Sequence, residues 1–429
     1  MLIIQNGYMI DPRSGREGYY DLVIRDGRIL KIVNRGETSM TNDSKDAVII
    51  DAGGLIVAPG LIDVHVHFRE PGFTYKEDIE TGSKAAAKGG FTTVVMMGNT
   101  KPSIDNPETL AEVLEKGAKT GIHVLSCVNV TKGMKGQELT DMEELSAKGA
   151  AGFTDDGVPV MNEKLVREAM EKAAFIGKPI SFHEEDPAYI TNNGINRGKA
   201  SEYYGIGGSP REAEITLSAR DIELAKQTGA DIDIQHISTK EAVELVRSAR
   251  KAGFINVHAE ATPHHFTLTE EAAIRYGTNA KMNPPLRGEE DRLAIIRGLQ
   301  DGTIEMIATD HAPHSEEEKE RPITQAPSGI IGLETSLALG ITELVDKGYL
   351  TMKDLLDRMS TGPAKIYHLD AGYLDEGGPA DLILIDKEAK FIPGDYASKA
   401  KNTPFTGWTL NGAVRMTICA GEVVYSGEA

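Results

Sequence analysis

The chain has 429 residues, 40% hydrophobic and 26% charged, a balance that fits a soluble globular protein and excludes a disordered or membranous one. Its 46 Lys and Arg against 65 Asp and Glu leave a net charge of −19. That field repels phosphate backbones and anionic lipid, so neither nucleic acid nor a membrane is an expected partner, and an anionic substrate needs a local positive site.

The N-terminal stretch from Met1 to Ile10 is apolar but has no basic n-region and runs into Asp11-Pro12, and no uninterrupted apolar run reaches membrane-spanning length. The two cysteines, Cys127 and Cys419, each lie in an apolar strand-like run. A disulfide framework is excluded, a reducing compartment fits, and a cytoplasmic location is expected. Short strands are predicted at Leu2 to Gln5, Asp21 to Arg25, Ile29 to Val33 and Val48 to Asp51, with Asn6-Gly7 and Asp26-Gly27 as turn dipeptides. From Leu61 the texture changes to apolar strands alternating with helical patterns. The strands are Leu61 to Phe68, Thr92 to Met97, His123 to Val130, Gly152 to Thr154, Pro179 to His183, Ile232 to Ile237, Ile255 to Glu260 and Glu305 to Thr309. Such βα units closing on themselves form a (β/α)8 TIM barrel, predicted over residues 58–364, with a doubly wound sheet as the alternative. Strand texture returns at Ala380 to Asp386, Ala413 to Cys419 and Glu422 to Tyr425. Residues 1–57 and 365–429 are each too short to bury a core alone, so both ends are expected to pair into one small β-sandwich domain.

In a barrel the catalytic side chains come from the C-terminal ends of several strands. Strand one ends in Asp63-Val64-His65-Val66-His67-Phe68-Arg69, where the two-residue period puts His65 and His67 on one face. Strand four ends in Asp155-Asp156, strand five in His183-Glu184-Glu185, strand six in His236 and strand eight in Asp310-His311. Singly, each has an ordinary reading: a packed histidine, a surface pair, a loop cap. Their joint placement points instead to Zn²⁺, one or two per chain, held by imidazole and carboxylate without thiolate. Asp310 is placed to accept the proton of a metal-activated water and return it to a leaving nitrogen, or, alternatively, only to orient a histidine. Arg69, Asn99, Asn283 and His314 ring the same face, and Arg69 with Asn99 and His314 could hold an anionic group. Arg287 is ambiguous, and His264-His265 read as structural or supporting. The segment from Glu316 to Gly332 reads as a loop over the barrel mouth, a solvated surface loop or a lid.

Two segments, Asp63-Val64-His65-Val66-His67-Phe68-Arg69-Glu70-Pro71-Gly72 and Ala308-Thr309-Asp310-His311-Ala312-Pro313-His314, resemble the signatures of dihydroorotases, within the amidohydrolase superfamily. Phe153 to Gly157, His236 to Lys240, Thr262 to His265, Lys281 to Arg287 and Asn402 to Phe405 extend the likeness to the type I bacterial form. The resemblance implies reversible cyclisation of N-carbamoyl-L-aspartate to L-dihydroorotate in pyrimidine synthesis. It also implies that His65 and His67 bind one zinc, that His183 and His236 bind a second, that Asp156 bridges them, and that Asp310 is both ligand and acid/base. Arg69, Asn99 and His314 would hold the α-carboxylate, with Asn283 and the backbone at Pro327 and Gly329 on the ring or ureido group. Related hydantoinases use a carbamylated lysine in strand four; Gly149 to Gly157 contains none, which favours an aspartate bridge, and the motif favours Asp156 over Asp155. Met97-Gly98-Asn99-Thr100-Lys101-Pro102 and Pro327-Ser328-Gly329 each depart by one or two residues from the common family pattern. A homodimer and a complex with aspartate transcarbamoylase are further expectations. The alternatives are a hydantoinase- or allantoinase-like cyclic amidohydrolase, and a non-catalytic scaffold subunit.

Overall fold

The computed structural model describes residues 1–37 and 47–427. Strands β1 (Leu2–Asp11), β2 (Arg16–Arg25) and β3 (Arg28–Asn34) form an antiparallel meander. Asp26-Gly27 turns β2 into β3, with φ of 51° and 73°, the paired positive values a two-residue hairpin loop uses to match strand twist. Asn6-Gly7, expected as a turn, instead lies inside β1. Asn6 takes φ 65° and the register against β2 shifts between Ile4 and Gly7, because an asparagine that tolerates the left-handed region can be absorbed as a bulge. β4 (Val48–Asp51) and the unanticipated β5 (Ile56–Pro59) both pair parallel with β1.

The barrel strands follow: β6 (Leu61–Val66), β7 (Phe91–Met96), β8 (His123–Ser126), β9 (Phe153–Thr154), β10 (Ile180–Phe182), β11 (Ile232–Ile234), β12 (Val257–Ala261) and β13 (Met306–Ile307). Two parallel ladders, β6 to β8 and β9 to β13, are joined by a bridge between Val128 and Phe153 and closed by one between Val66 and His311. Beside that closing bridge the buried Asp63 carboxylate accepts the backbone N–H of His65 at 3.0 Å and of Thr309 at 3.2 Å, tying the first strand to the last. The helices between strands show why the ring holds. Helix Lys240–Lys251 is capped by Thr239, whose side chain accepts from Ala242 N, and buries Ala242, Val243, Val246 and Ala249. These fall on one stripe of a 3.6-residue helix, and each fully buried valine contributes about 1.5–3 kcal/mol. Val246→Asp would put an unpaired charge into that contact and detach the helix.

After the barrel come β14 (Leu382–Phe391), β15 (Leu410–Cys419) and β16 (Glu422–Ser426). β5 pairs antiparallel with β14, so both chain ends belong to one sheet ordered β16-β15-β14-β5-β1-β2-β3, with β4 beside β1. Leu22, Ile24 and Ile29 share a core with Leu382, Leu384 and Ile418, so the sheet wraps around its own interior. No helix among the described residues is long and apolar enough to cross a membrane.

Candidate metal centre and substrate pocket

The barrel ladder stops where the chemistry starts. Arg69, His236 and Asp310, each just past a strand end, have φ of 62°, 36° and 47°, a region non-glycine residues adopt only where surrounding contacts enforce it. Inside the mouth, Asp156 lies between the histidines. Its Oδ1 is 3.5 Å from His65 Nε2 and 3.7 Å from both His183 Nδ1 and His236 Nε2, and its Oδ2 is 3.4 Å from His67 Nε2. Asp310 Oδ1 lies 3.1 Å from His67 Nε2 and 3.6 Å from His65 Nε2. His183 Nδ1 and His236 Nε2 face each other at 3.0 Å. Two donors bound about 2 Å from one tetrahedral ion stand roughly 3.3 Å apart, so this spacing fits ligands sharing metal.

Orphaned polar atoms point the same way. His65 Nε2 is buried with no hydrogen-bond partner among the described residues, although both carboxylates lie at the edge of hydrogen-bonding range. His65, His67 and Asp310 form one group able to hold an ion; His65, Asp156 and His236 form another. The donor set of imidazoles and carboxylates therefore fits a divalent metal. Burial works against ionisation of Asp310 and Asp156. The hydrogen bond from His67 to Asp310 and the charge of His65 beside Asp156 nevertheless hold both carboxyls well below the usual range. Asp155, the rival on strand four, points elsewhere: it accepts backbone N–H groups of Val130 at 2.8 Å and Thr131 at 3.2 Å, and so anchors a loop. A third cluster, His123, Asp381 and Cys419, lies at the opposite end of the strands. There Asp381 is already shared by His123 Nε2 at 3.1 Å and Ala420 N at 2.7 Å, joining barrel to end sheet.

Around the centre a cavity of about 380 Å³ is lined by Arg69, Asn99, Asn283, His314, Pro327 and Gly329, all anticipated from sequence, and by Asn193, Lys281 and Ser328. Arg69 donates from Nε to Pro313 O at 3.2 Å and has no carboxylate partner among the described residues. Asn99 acts chiefly on the centre: its Oδ1 accepts from His67 Nδ1 at 3.0 Å and its Nδ2 donates to Asp156 Oδ2 at 3.1 Å. The Asn283 amide lies 3.2 Å from His183 Nε2. His314 Nε2 donates to Ser328 O at 2.8 Å, and its Nδ1 accepts from Lys76 Nζ at 3.2 Å. Lys76 is a cation the sequence reading missed; only its position seven residues after Arg69 hinted at it. Arg287 is structural: buried, it donates to Ser238 Oγ, Asn196 Oδ1 and Ser209 O behind the second histidine pair. His265 Nε2 donates to Pro284 O at 3.0 Å and steadies the Asn283 loop, while burial pushes His264 down to about 4.

A barrel with histidines and aspartates at these strand ends defines an amidohydrolase, and the amidohydrolase family matches residues 56–424. Solved structures similar in fold include L-hydantoinase from Arthrobacter aurescens, with TM-score 0.89 and 25% identity over 100% of this chain and 97% of that one. Dihydropyrimidinase from Brevibacillus agri gives TM-score 0.85 at 22% identity, over 99% and 95% of the two chains. Among curated sequences the likeness is much greater to dihydroorotases: 54% identity with that of Clostridioides difficile over 99% of this chain and all of the relative, and 48% with that of Lactococcus lactis over the whole of both. The chain belongs to the dihydroorotase family and is a cyclic amidohydrolase acting on a small molecule.

Proposed function

We propose that this enzyme interconverts N-carbamoyl-L-aspartate and L-dihydroorotate with one or two Zn²⁺ at the barrel mouth. Residues 58–364 would be its catalytic domain, and 1–57 with 365–429 the supporting one. The observation that carries the reading is the convergence of His65, His67, Asp156, His183, His236 and Asp310 within ligand spacing beside a half-buried guanidinium, Arg69, that has no carboxylate partner among the described residues. In a protein of net charge −19, a cation at the cavity wall without a neutralising carboxylate is the feature an anionic substrate requires.

His65 and His67 would hold one ion and His183 with His236 the other, Asp156 bridging and Asp310 completing the set. A divalent ion there supplies Lewis acidity toward water and toward the scissile carbonyl. The chain's own residues do the rest. Arg69 forks onto the α-carboxylate, with Asn99 and His314 beside it. Asn283 and the backbone at Pro327 and Gly329 face the ring. Asp310, ionised and within reach of the centre, takes the proton of the attacking water at Oδ and delivers it to the departing ring nitrogen. In the reverse direction the ureido nitrogen attacks the β-carboxyl of the same molecule, so the reactants are already tethered and orientation supplies much of the rate. A cytoplasmic location, a homodimer and association with an aspartate transcarbamoylase belong to the same proposal; co-elution of the mixed proteins tests the last two. Elemental analysis of washed protein with a dihydroorotate ring-opening assay tests the chemistry: zinc at one to two per chain and chelator-sensitive turnover are expected. Metal-free protein with full activity would refute it.

A further inference from the structure

β12, the seventh barrel strand, contributes no candidate ligand, yet its face toward the barrel interior carries an acid at the height of the metal centre. Glu260 is buried, and its Oε1 accepts from two directions: His65 Nδ1 at 2.5 Å and the backbone N–H of His236 at 3.1 Å. Its Oε2 has no hydrogen-bond partner among the described residues. A buried carboxylate with one unsatisfied oxygen is costly, and a strand needed only for packing would carry an apolar residue there. The two histidines of strand one are thus held differently: His67 Nδ1 by the neutral amide of Asn99 at 3.0 Å, His65 Nδ1 by a carboxylate.

We propose that Glu260 is a positioning residue, which fixes the His65 tautomer so that Nε2 offers its lone pair to the ion, and which ties strands one, six and seven so that both halves of the centre assemble together. This rests on the metal reading above. The mechanism is the second contact of a ligating imidazole: a carboxylate on Nδ1–H orients the ring and raises the basicity of Nε2. The same oxygen pins His236 at its left-handed φ of 36°, so displacing one ligand disturbs the other. Glutamine at this position keeps the shape but removes the charge, and its NH2 group can present a hydrogen to Nδ1 and so favour the wrong tautomer.

The test compares full-length wild type, Glu260→Gln, Glu260→Asp and Glu260→Leu. Readouts are Zn²⁺ affinity by chelator competition, the visible spectrum of the Co²⁺-loaded protein, the thermal midpoint of the metal-free protein, and kcat and KM separately. Zn²⁺ affinity should fall ~10-fold in the glutamine variant and ~100-fold in the leucine variant. The Co²⁺ spectrum should change, the metal-free midpoint of the glutamine variant should not drop, KM should stay within about twofold, and the aspartate variant should recover part of the affinity. Should the leucine variant not fold, the glutamine variant decides. Wild type that binds Zn²⁺ with variants that bind it equally well would overturn the inference alone, as would a lowered metal-free midpoint of the glutamine variant with unchanged affinity. Wild type that binds no divalent ion would overturn the metal reading and this inference with it.

Discussion

Asp310 and Arg69 lie within reach of one cavity and one centre, and their surroundings separate their tasks. Asp310 faces His67 Nε2 at 3.1 Å, and the neighbouring imidazoles keep its carboxyl ionised against the cost of burial, so it is an acceptor waiting for a proton. Asp310→Asn keeps the volume and one oxygen for the centre but cannot take that proton. We expect its fold and most of its zinc to be retained while kcat falls ~10²-fold or more; near-normal turnover would remove Asp310 from proton transfer. Arg69 touches neither aspartate by hydrogen bond, and among the described residues it donates only to the backbone of Pro313, which leaves its fork available to a ligand. In Arg69→Met, kcat/KM for dihydroorotate should drop ~30-fold or more at unchanged zinc content, since a buried anion loses its charge-assisted partner. Residual activity on uncharged dihydrouracil should fall much less. Equal losses on both substrates, or loss of zinc, would make Arg69 a support for the strand-one histidines instead.

At the scale of elements, the loop over the mouth is fastened at many points. Lys281 Nζ donates to Ile323 O at 2.8 Å and Ala326 O at 2.6 Å, and Lys319 Nζ to Pro327 O and Gly329 O at 3.0 Å each. Asn402 Nδ2 adds a bond to Gly329 O at 3.1 Å. Two largely buried ammonium groups that turn to carbonyls hold the cavity-lining turn by its backbone. Lys281→Met should therefore raise KM ~10-fold with zinc content unchanged and speed proteolytic cleavage near residue 325; a variant with native KM and native protease resistance would show that the fastening is redundant. None of these bonds is local, which explains why sequence left lid and surface loop undecided. The eight strands were legible because strand periodicity is written in neighbouring residues, and so were the histidines, because strand ends are the mouth. Asn6-Gly7 misled because the dipeptide reports a local φ preference, whereas the partner strand decides between hairpin and bulge. β5 was invisible because its pairing with β14 joins segments more than three hundred residues apart. Glu260 went unweighed for the same reason: its importance lies in contacts with His65 and His236, and a glutamate at a strand end carries no signal of its own.

Across the whole molecule, the same strand that carries Glu260 at the mouth carries His258 toward the opposite, closed end, two residues apart on one face. There His258 Nδ1 donates to Glu305 Oε2 at 2.6 Å, and its Nε2 stands 3.7 Å from Asp231 Oδ1. Glu305 also binds Arg250, and Asp231 faces His368 at 3.8 Å. This knot links the bases of β11, β12 and β13 to the segment that leaves the barrel, so it should govern stability without touching catalysis. Burial disfavours the imidazolium, but the nearby Asp231 carboxylate and the hydrogen bond to Glu305 outweigh it and push His258 up to about 9. A folded value above the unfolded one means that the native state binds the proton more tightly. Its stabilisation is therefore complete below about pH 6.5 and is lost as pH rises through about 9. Glu305 is shifted the other way: despite burial, its histidine and arginine partners hold it below the ordinary value of 4.5, so its share is lost only on acidification. The knot should then be strongest near pH 6. His258→Gln should lower the thermal midpoint clearly at pH 6 and progressively less toward pH 9.5, with kcat at pH 7 unchanged because the mouth is untouched. Thermal melts of both proteins across that range check it: a midpoint difference that does not shrink with rising pH would show that His258 acts by packing alone, and a fall in kcat would show that the base and the mouth of the barrel are coupled.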